Sequence, residues 1–175
     1  MCIRDSFKPE ATSSLTTAID LWINDNESAL TTYGEISSWD VSQITSMMSL
    51  FEGETTFNDD ISNWDVSNVT SMMWMFKGAS SFNQDLTNWD VSSVTTMYQM
   101  FYDAESFNGD MSNWNVSNVT TMTGMFNNAS NFNSDISNWN ISSLVSNGTA
   151  SMFKGASSFN QDLTCLLYTS PSPRD

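Results

Sequence analysis

Hydrophobic residues recur with a period of 25 along most of this chain. Tryptophan marks the period, at Trp39, Trp64, Trp89, Trp114 and Trp139. Columns of valine, methionine and phenylalanine run parallel to it, as at Val66, Val69, Met72, Phe76 and Phe82. A fixed period of this length is typical of repeat proteins, in which a single unit cannot bury its own apolar side. The pattern therefore predicts about five stacked units with a continuous apolar core.

Each unit carries two kinds of local pattern. Val94, Met97, Met100 and Phe101 follow one another at i, i+3, i+6 and i+7, which is typical of one side of a short helix. The polar stretch 82–89 is too short for a helix and favours an extended segment. One short strand and one helical turn per unit predict an α/β repeat solenoid, with units stacked about 4.8 Å apart.

The N-terminal part of the chain departs from the period. Leu15, Ala18, Ile19 and Trp22 form an amphipathic helical pattern after the hydroxyl residues 12–14, which can cap a helix. We therefore expect a helical cap over residues 7–35 ahead of the repeats.

The repeat array is expected to span residues 36–164 and to be cut within its last unit. The flanking residues 1–6 and 165–175 resemble the translated sequence of a transposase sequencing adapter in opposite orientations. We interpret both as artefacts. Because Cys2 and Cys165 lie in them, the remaining segment has no cysteine for disulfides, metal sites or thiol catalysis.

Charge and composition narrow the range of functions that the chain could have. The chain has 20 acidic and 5 basic residues, a net charge of −15, and no histidine. Such a surface repels nucleic acids and anionic membranes, and no stretch approaches the roughly 20 apolar residues that span a bilayer. Acid–base chemistry would depend on carboxylates that recur in near-identical settings, whereas a glycosidase needs two in unlike settings. We therefore expect no enzyme, no cofactor, no nucleic-acid partner and no transmembrane segment.

Polar columns accompany the apolar ones. The main acidic column contains Asp60, Asp85, Asp110, Asp135 and Asp162. Stacked carboxylates repel one another unless compensated, so a ladder of calcium sites is one interpretation. The other, which we favour, is that each carboxylate accepts backbone N–H groups of its own turn, since no glycine-rich calcium loop accompanies the column.

Two further polar columns favour structural roles. One changes from aspartate to asparagine along the chain, at Asp40, Asp65, Asp90, Asn115 and Asn140, which favours a hydrogen-bonding turn over a metal site. The other indicates an asparagine ladder between units, at Asn63, Asn88, Asn113 and Asn138.

The repeat motif resembles a known family. The segment 57–76 reads Phe-Asn-Asp-Asp-Ile-Ser-Asn-Trp-Asp-Val-Ser-Asn-Val-Thr-Ser-Met-Met-Trp-Met-Phe. It is similar to the BspA-like leucine-rich-repeat surface proteins, which include a lipoprotein-associated repeat of unknown function. The resemblance covers about residues 36–164 and implies a right-handed, leucine-rich-repeat-like coil without catalytic residues. It also implies an extracellular or cell-surface location and adhesion to proteins or glycans.

Positions where the units differ are the candidates for a partner surface. Their residue types are not dictated by the packing of the unit, and aromatic side chains are common interface anchors. The candidates are Trp74, Lys77, Tyr98, Tyr102 and Asp103. Three functions remain open: a binding or adhesion protein, which we favour, a spacer that presents another domain, and a fragment of a carbohydrate-active enzyme.

Overall fold

The computed structural model describes residues 6–163. Helix α1 spans Thr12–Asn24 and helix α2 spans Asn26–Tyr33, and a short 3-10 turn follows at Ile36–Ser38. The adapter-like segments lie outside the described residues, apart from Ser6, so their interpretation stays a prediction. The boundaries 7–35 and 36–164 likewise stay predictions.

Local chemistry explains both helices. The apolar face of α1 is buried, at Leu15, Ala18, Ile19 and Trp22. Helix α2 begins after Asp25, whose carboxylate accepts a hydrogen bond from the Ser28 backbone N–H at 3.1 Å. It ends at Gly34, where φ is +75° and glycine avoids the steric cost of the left-handed region. None of the helices found between residues 6 and 163 is long and apolar enough to cross a membrane.

Successive 25-residue units stack through their backbones. Alternate N–H groups of one unit donate to carbonyls of the next, as from Met72 to Thr96 (3.1 Å) and from Phe76 to Met100 (2.9 Å). Isolated parallel bridges join Ser46, Ser71, Thr96 and Thr121 in one line. The predicted stacking of units therefore rests on main-chain bonds between residues about 25 positions apart.

The predicted α/β repeat solenoid, with its leucine-rich-repeat-like strands and helical turns, is wrong. Across residues 6–163, helices occur only before residue 39, and the bridges do not extend into strands. The stretch 94–101 follows a series of tight turns: Met100 donates to Met97 three residues back, and Met97 donates to Thr121 of the next unit. Gln99 has φ +51°, which interrupts any helix.

Each unit contributes the same side chains to a continuous core. Trp64, Trp89, Trp114 and Trp139 are almost fully buried, and so are the phenylalanine columns. The indole of Trp89 donates to the Ile61 carbonyl at 3.1 Å, and this bond recurs from unit to unit. Phenylalanine rings stack between units with centroids 5.4 Å apart at Phe76 and Phe101. The predicted core columns are therefore confirmed.

The N-terminal segment covers the first unit. The ring of Trp22 packs edge-on against Trp39 at 5.8 Å, and the Thr12 hydroxyl donates to the Ser46 carbonyl at 2.8 Å. Lys8 forms an ion pair of 2.6 Å with Asp40, and this pair, together with hydrogen bonds from Ser42, lowers the pKa of Asp40 to about 2. The apolar end of the stack is thereby closed on this side.

Candidate binding surface

Two columns of residues adopt a left-handed backbone in every unit, and Asn147 adopts one in addition in the last unit. The first column contains Ser49, Trp74, Gln99, Gly124 and Ser151. The second contains Gly53, Gly78, Asp103, Asn128 and Gly155. A left-handed conformation costs an L-residue about 1–2 kcal/mol, and glycine avoids that cost. Two of the candidate positions, Trp74 and Asp103, thus lie in these left-handed columns, and Lys77, Tyr98 and Tyr102 lie beside them in the sequence.

A cluster of side chains, which we call the Trp74 patch, forms on these turns. It comprises Glu52, Trp74, Lys77, Tyr98 and Gln99. The Trp74 indole donates to the Gln99 side-chain oxygen at 3.0 Å. The Tyr98 ring meets the indole edge-on at 6.0 Å, and the Lys77 ammonium lies 5.4 Å from the ring centroid. The half-buried indole is therefore held in a fixed orientation on the surface.

An ion pair orders the cation of this patch. The Lys77 ammonium donates to the Glu52 carboxylate at 2.8 Å, with both side chains about a third exposed. Glu52 raises the pKa of Lys77, and Lys77 in turn lowers the pKa of Glu52. At this exposure the pair stabilises the fold by no more than about 1 kcal/mol. Its main effect is to place a charge over the Trp74 ring, where the π-system attracts a cation.

The remaining candidates lie beside the patch. Tyr102 and Asp103 both lie close enough to Lys77 to raise its pKa slightly. The Tyr102 carbonyl accepts from the Gly78 N–H at 2.7 Å, and the Asp103 carboxylate accepts from the Asn128 side chain at 2.8 Å. The structure thus brings the sequence candidates to one surface, while their binding role stays a prediction.

Sequence reasoning missed Glu52. It occupies the same column as Lys77, one unit earlier, and the two side chains meet because the units stack. The opposite charges of Glu52 and Lys77, 25 residues apart in a stacked repeat, could have predicted that Glu52 belongs to the patch.

Four carboxylates of the main acidic column, those of Asp60, Asp85, Asp110 and Asp135, accept hydrogen bonds within their own turns. Asp60 accepts from the Ser62 backbone N–H at 2.9 Å and Asp110 from that of Ser112 at 2.8 Å. These serines lower the pKa of both carboxyl groups. Within the described range 6–163, no three metal-ligating side chains come together. The geometry supports the turn interpretation, and the calcium alternative remains an untested prediction.

Asparagine does form a ladder, but at a different column from the predicted one. The Asn58 side-chain oxygen accepts from the Asn83 backbone N–H at 2.8 Å, and the same bond joins each later pair of units. The ladder column comprises Asn58, Asn83, Asn108, Asn133 and Asn160. The Asn63 column, proposed from the sequence, does not carry this bond; its side chains are exposed, as most side chains of the ladder column are. Both columns are invariant within this chain, so repetition alone did not distinguish them.

The fold and this surface define a class: a stacked repeat protein with an aromatic core and variable outer turns. The chain belongs to a protein family described as "Mycoplasma protein of unknown function, DUF285", whose model matches residues 19–122 and 103–170. BspA-like repeat proteins carry this domain, so the match agrees in part with the resemblance seen in the sequence, while membership among the BspA-like proteins in particular stays a prediction. Neither the curated proteins nor the solved structures compared with the chain contain a match.

Proposed function

We propose that this chain is a non-catalytic binding module of a secreted or cell-surface repeat protein of the BspA-like type. It binds a protein or a glycan, in the manner of an adhesin, through the Trp74 patch and the adjoining Tyr102. The observation that carries the proposal is the conformation of Trp74. A bulky side chain occupies a left-handed position, with φ +57°, that other units fill with serine, glutamine or glycine.

A left-handed tryptophan is an outlier that calls for a reason. Strained residues of this kind cluster at ligand-binding sites, where the surrounding structure imposes the conformation. Trp74 is only half-buried and adds nothing to the repeating core, whose tryptophans belong to another column. Tryptophan and tyrosine dominate interface energetics, because they bury a large area with little loss of conformational entropy.

The test compares two triple variants on an array of immobilised oligosaccharides and extracellular-matrix proteins. The first variant replaces Trp74, Tyr98 and Tyr102 with serine. The matched control replaces the exposed Asn63, Asn88 and Asn113 with serine. We expect the first variant to lose binding to every array component that the unaltered chain binds. The control should retain that binding. Far-ultraviolet circular dichroism must be unchanged in both, and retained binding by the aromatic variant would contradict the proposal.

A spacer function is the second candidate. It is supported by the regular main-chain and asparagine bonds between units, which make the stack a uniform support for another domain. If the unaltered chain bound no component of the array, the spacer function would be favoured over the binding function.

A further inference from the structure

Asn127 is the one polar residue that lies almost fully buried between residues 6 and 163, with 7% of its surface exposed. Its main chain is paired: the Asn127 N–H donates to the Gly124 carbonyl at 3.1 Å, and the Asn127 carbonyl accepts from the Asp103 N–H at 2.8 Å. Its side-chain amide forms no hydrogen bond within this range, and such a buried group calls for an explanation. Because no fully enclosed side-chain nitrogen or oxygen lacks a partner there, both polar atoms of this amide reach the surface.

The Asn127 amide belongs to the same surface as the Trp74 patch. Asn127 occupies the column of Tyr102, one unit later. The Gln99 side chain, which accepts from the Trp74 indole at 3.0 Å, lies over Gly124, since a Cβ atom there would be 3.1 Å from its Cγ atom. Gly124 in turn accepts the backbone N–H of Asn127. A continuous surface therefore joins the Trp74 indole to the Asn127 amide.

Two amides and two phenols lie on this surface. The Gln99 amide holds the indole of Trp74 through its oxygen, whereas the Asn127 amide keeps both its donor and its acceptor for other partners. A primary amide donates and accepts at once, and neighbouring hydroxyl groups of a sugar ring offer the matching acceptor and donor. Tyr98 precedes Gln99 in the sequence, and Tyr102 precedes Asn127 in its column. Aromatic rings beside a few polar groups are typical of small-ligand sites, and the C–H face of a sugar packs on such rings.

The charges of this surface favour a neutral ligand. The Lys77 ammonium is paired with Glu52 at 2.8 Å, and the Asp103 carboxylate accepts from the Asn128 side chain. The whole chain has a net charge of −15, which repels polyanions. No aliphatic side chain follows Trp74 or Lys77 in the next two units of their columns, whereas the centre of a protein interface is apolar. The surface is thus better matched to a neutral sugar than to an acidic glycan or a protein.

We propose that the ligand of this surface is a neutral oligosaccharide, to whose hydroxyl groups the Asn127 amide bonds. The inference rests on the binding function proposed above and adds to it a ligand class and a specificity-determining residue. One sugar lies against the aromatic rings near Trp74, and a later sugar of the same oligosaccharide meets Asn127, two units further along the stack. The ligand supplies the partner that the protein itself does not offer to this amide.

The test is calorimetric titration of the full chain with defined oligosaccharides. Cellotetraose, chitotetraose and mannotetraose are the neutral probes, and tetragalacturonic acid is the acidic one. We expect saturable binding of a neutral probe with a Kd below about 1 mM, and no binding of the acidic probe.

Asn127→Leu keeps the size of the side chain and removes both of its polar atoms. We expect this variant to bind the neutral probe about tenfold more weakly, because the bonds to the ligand are lost. It should melt at no lower temperature than the unaltered chain, because no bond within the protein is lost. The matched control is Asn118→Leu in the same unit, which loses its bond to the Ser92 carbonyl at 2.7 Å. The control should melt at a lower temperature and bind the probe normally.

The inference about Asn127 fails if Asn127→Leu binds the neutral probe with unchanged affinity, or if it melts at a lower temperature than the unaltered chain. It also fails if the chain binds matrix proteins or tetragalacturonic acid but no neutral probe. That last result leaves the binding function intact and overturns only the ligand class. A chain that binds neither the probes nor any matrix protein contradicts the binding function itself, and this inference with it.

Discussion

Replacing Trp89 with phenylalanine tests whether the tryptophan column is a structural core. Trp89 is 3% exposed, and its ring stacks on Trp114 at 6.5 Å. The change deletes three ring atoms from the core: the indole nitrogen and two carbons, each carbon comparable to a buried methylene worth about 0.8 kcal/mol. It also deletes the indole bond to Ile61, worth about 1 kcal/mol. The Ile61 carbonyl keeps its bond from the Trp64 N–H, so no buried acceptor is orphaned. The expected loss is about 3 kcal/mol in the free energy of unfolding.

Urea denaturation followed by far-ultraviolet circular dichroism measures this loss, with Trp74→Phe as the matched control. The control deletes the same ring atoms and one indole bond, to Gln99, but at a half-exposed position. We expect it to cost less than about 1 kcal/mol. Repeat arrays can unfold in stages, so both variants are compared over the same transition. Equal losses for the two variants, or no loss for Trp89→Phe, would refute the assignment of core and surface.

Three further outcomes follow from the polar contacts. Lys8, together with the side-chain hydroxyl and backbone N–H of Ser42, lowers the pKa of Asp40 to about 2 from an ordinary 3.8, so the stability contributed by these contacts is present above pH 3.8 and lost as the pH falls through about 2. At this exposure, Lys8→Met should cost less than about 1 kcal/mol at pH 7 and nothing below pH 2 in urea titrations, and a constant difference would contradict the pairing. Asn108→Ala removes the acceptor for the Asn133 N–H and should cost about 1 kcal/mol, whereas Asn113→Ala, on the column outside the ladder, should cost less than about 0.5 kcal/mol. Removing calcium with a chelator should leave the melting temperature unchanged, because the column carboxylates already accept N–H groups; a fall of several degrees would support calcium sites.

The sequence predicted the core of this fold better than its secondary structure. The 25-residue period identified the buried columns, because burial follows directly from stacking identical units. The spacing of Val94, Met97, Met100 and Phe101 could not separate a helix from consecutive tight turns, since both bring these side chains to one side. What decides between them is the partner of each N–H group. Met97 and Phe101 donate 24 residues ahead, to Thr121 and Met125, and local pattern carries no information at that distance.

The backbone conformation at the candidate site, on the outer turns, was also only partly predictable from local sequence. Three glycines in one left-handed column, Gly53, Gly78 and Gly155, signal its conformation, whereas the column of Trp74 contains a single glycine, Gly124, and gives a weaker signal. Trp74 is held there by its neighbours: its N–H donates to Tyr98 of the next unit, and its carbonyl accepts from Lys77. The adjacent unit therefore supplies one of the two main-chain bonds that hold Trp74, and the other lies within its own turn. Local opening of the unit beginning near Trp89 would break the bond from the Trp74 N–H and move the Tyr98 ring away from the indole. The patch and any binding through it are consequently coupled to the integrity of the stack rather than to a single turn.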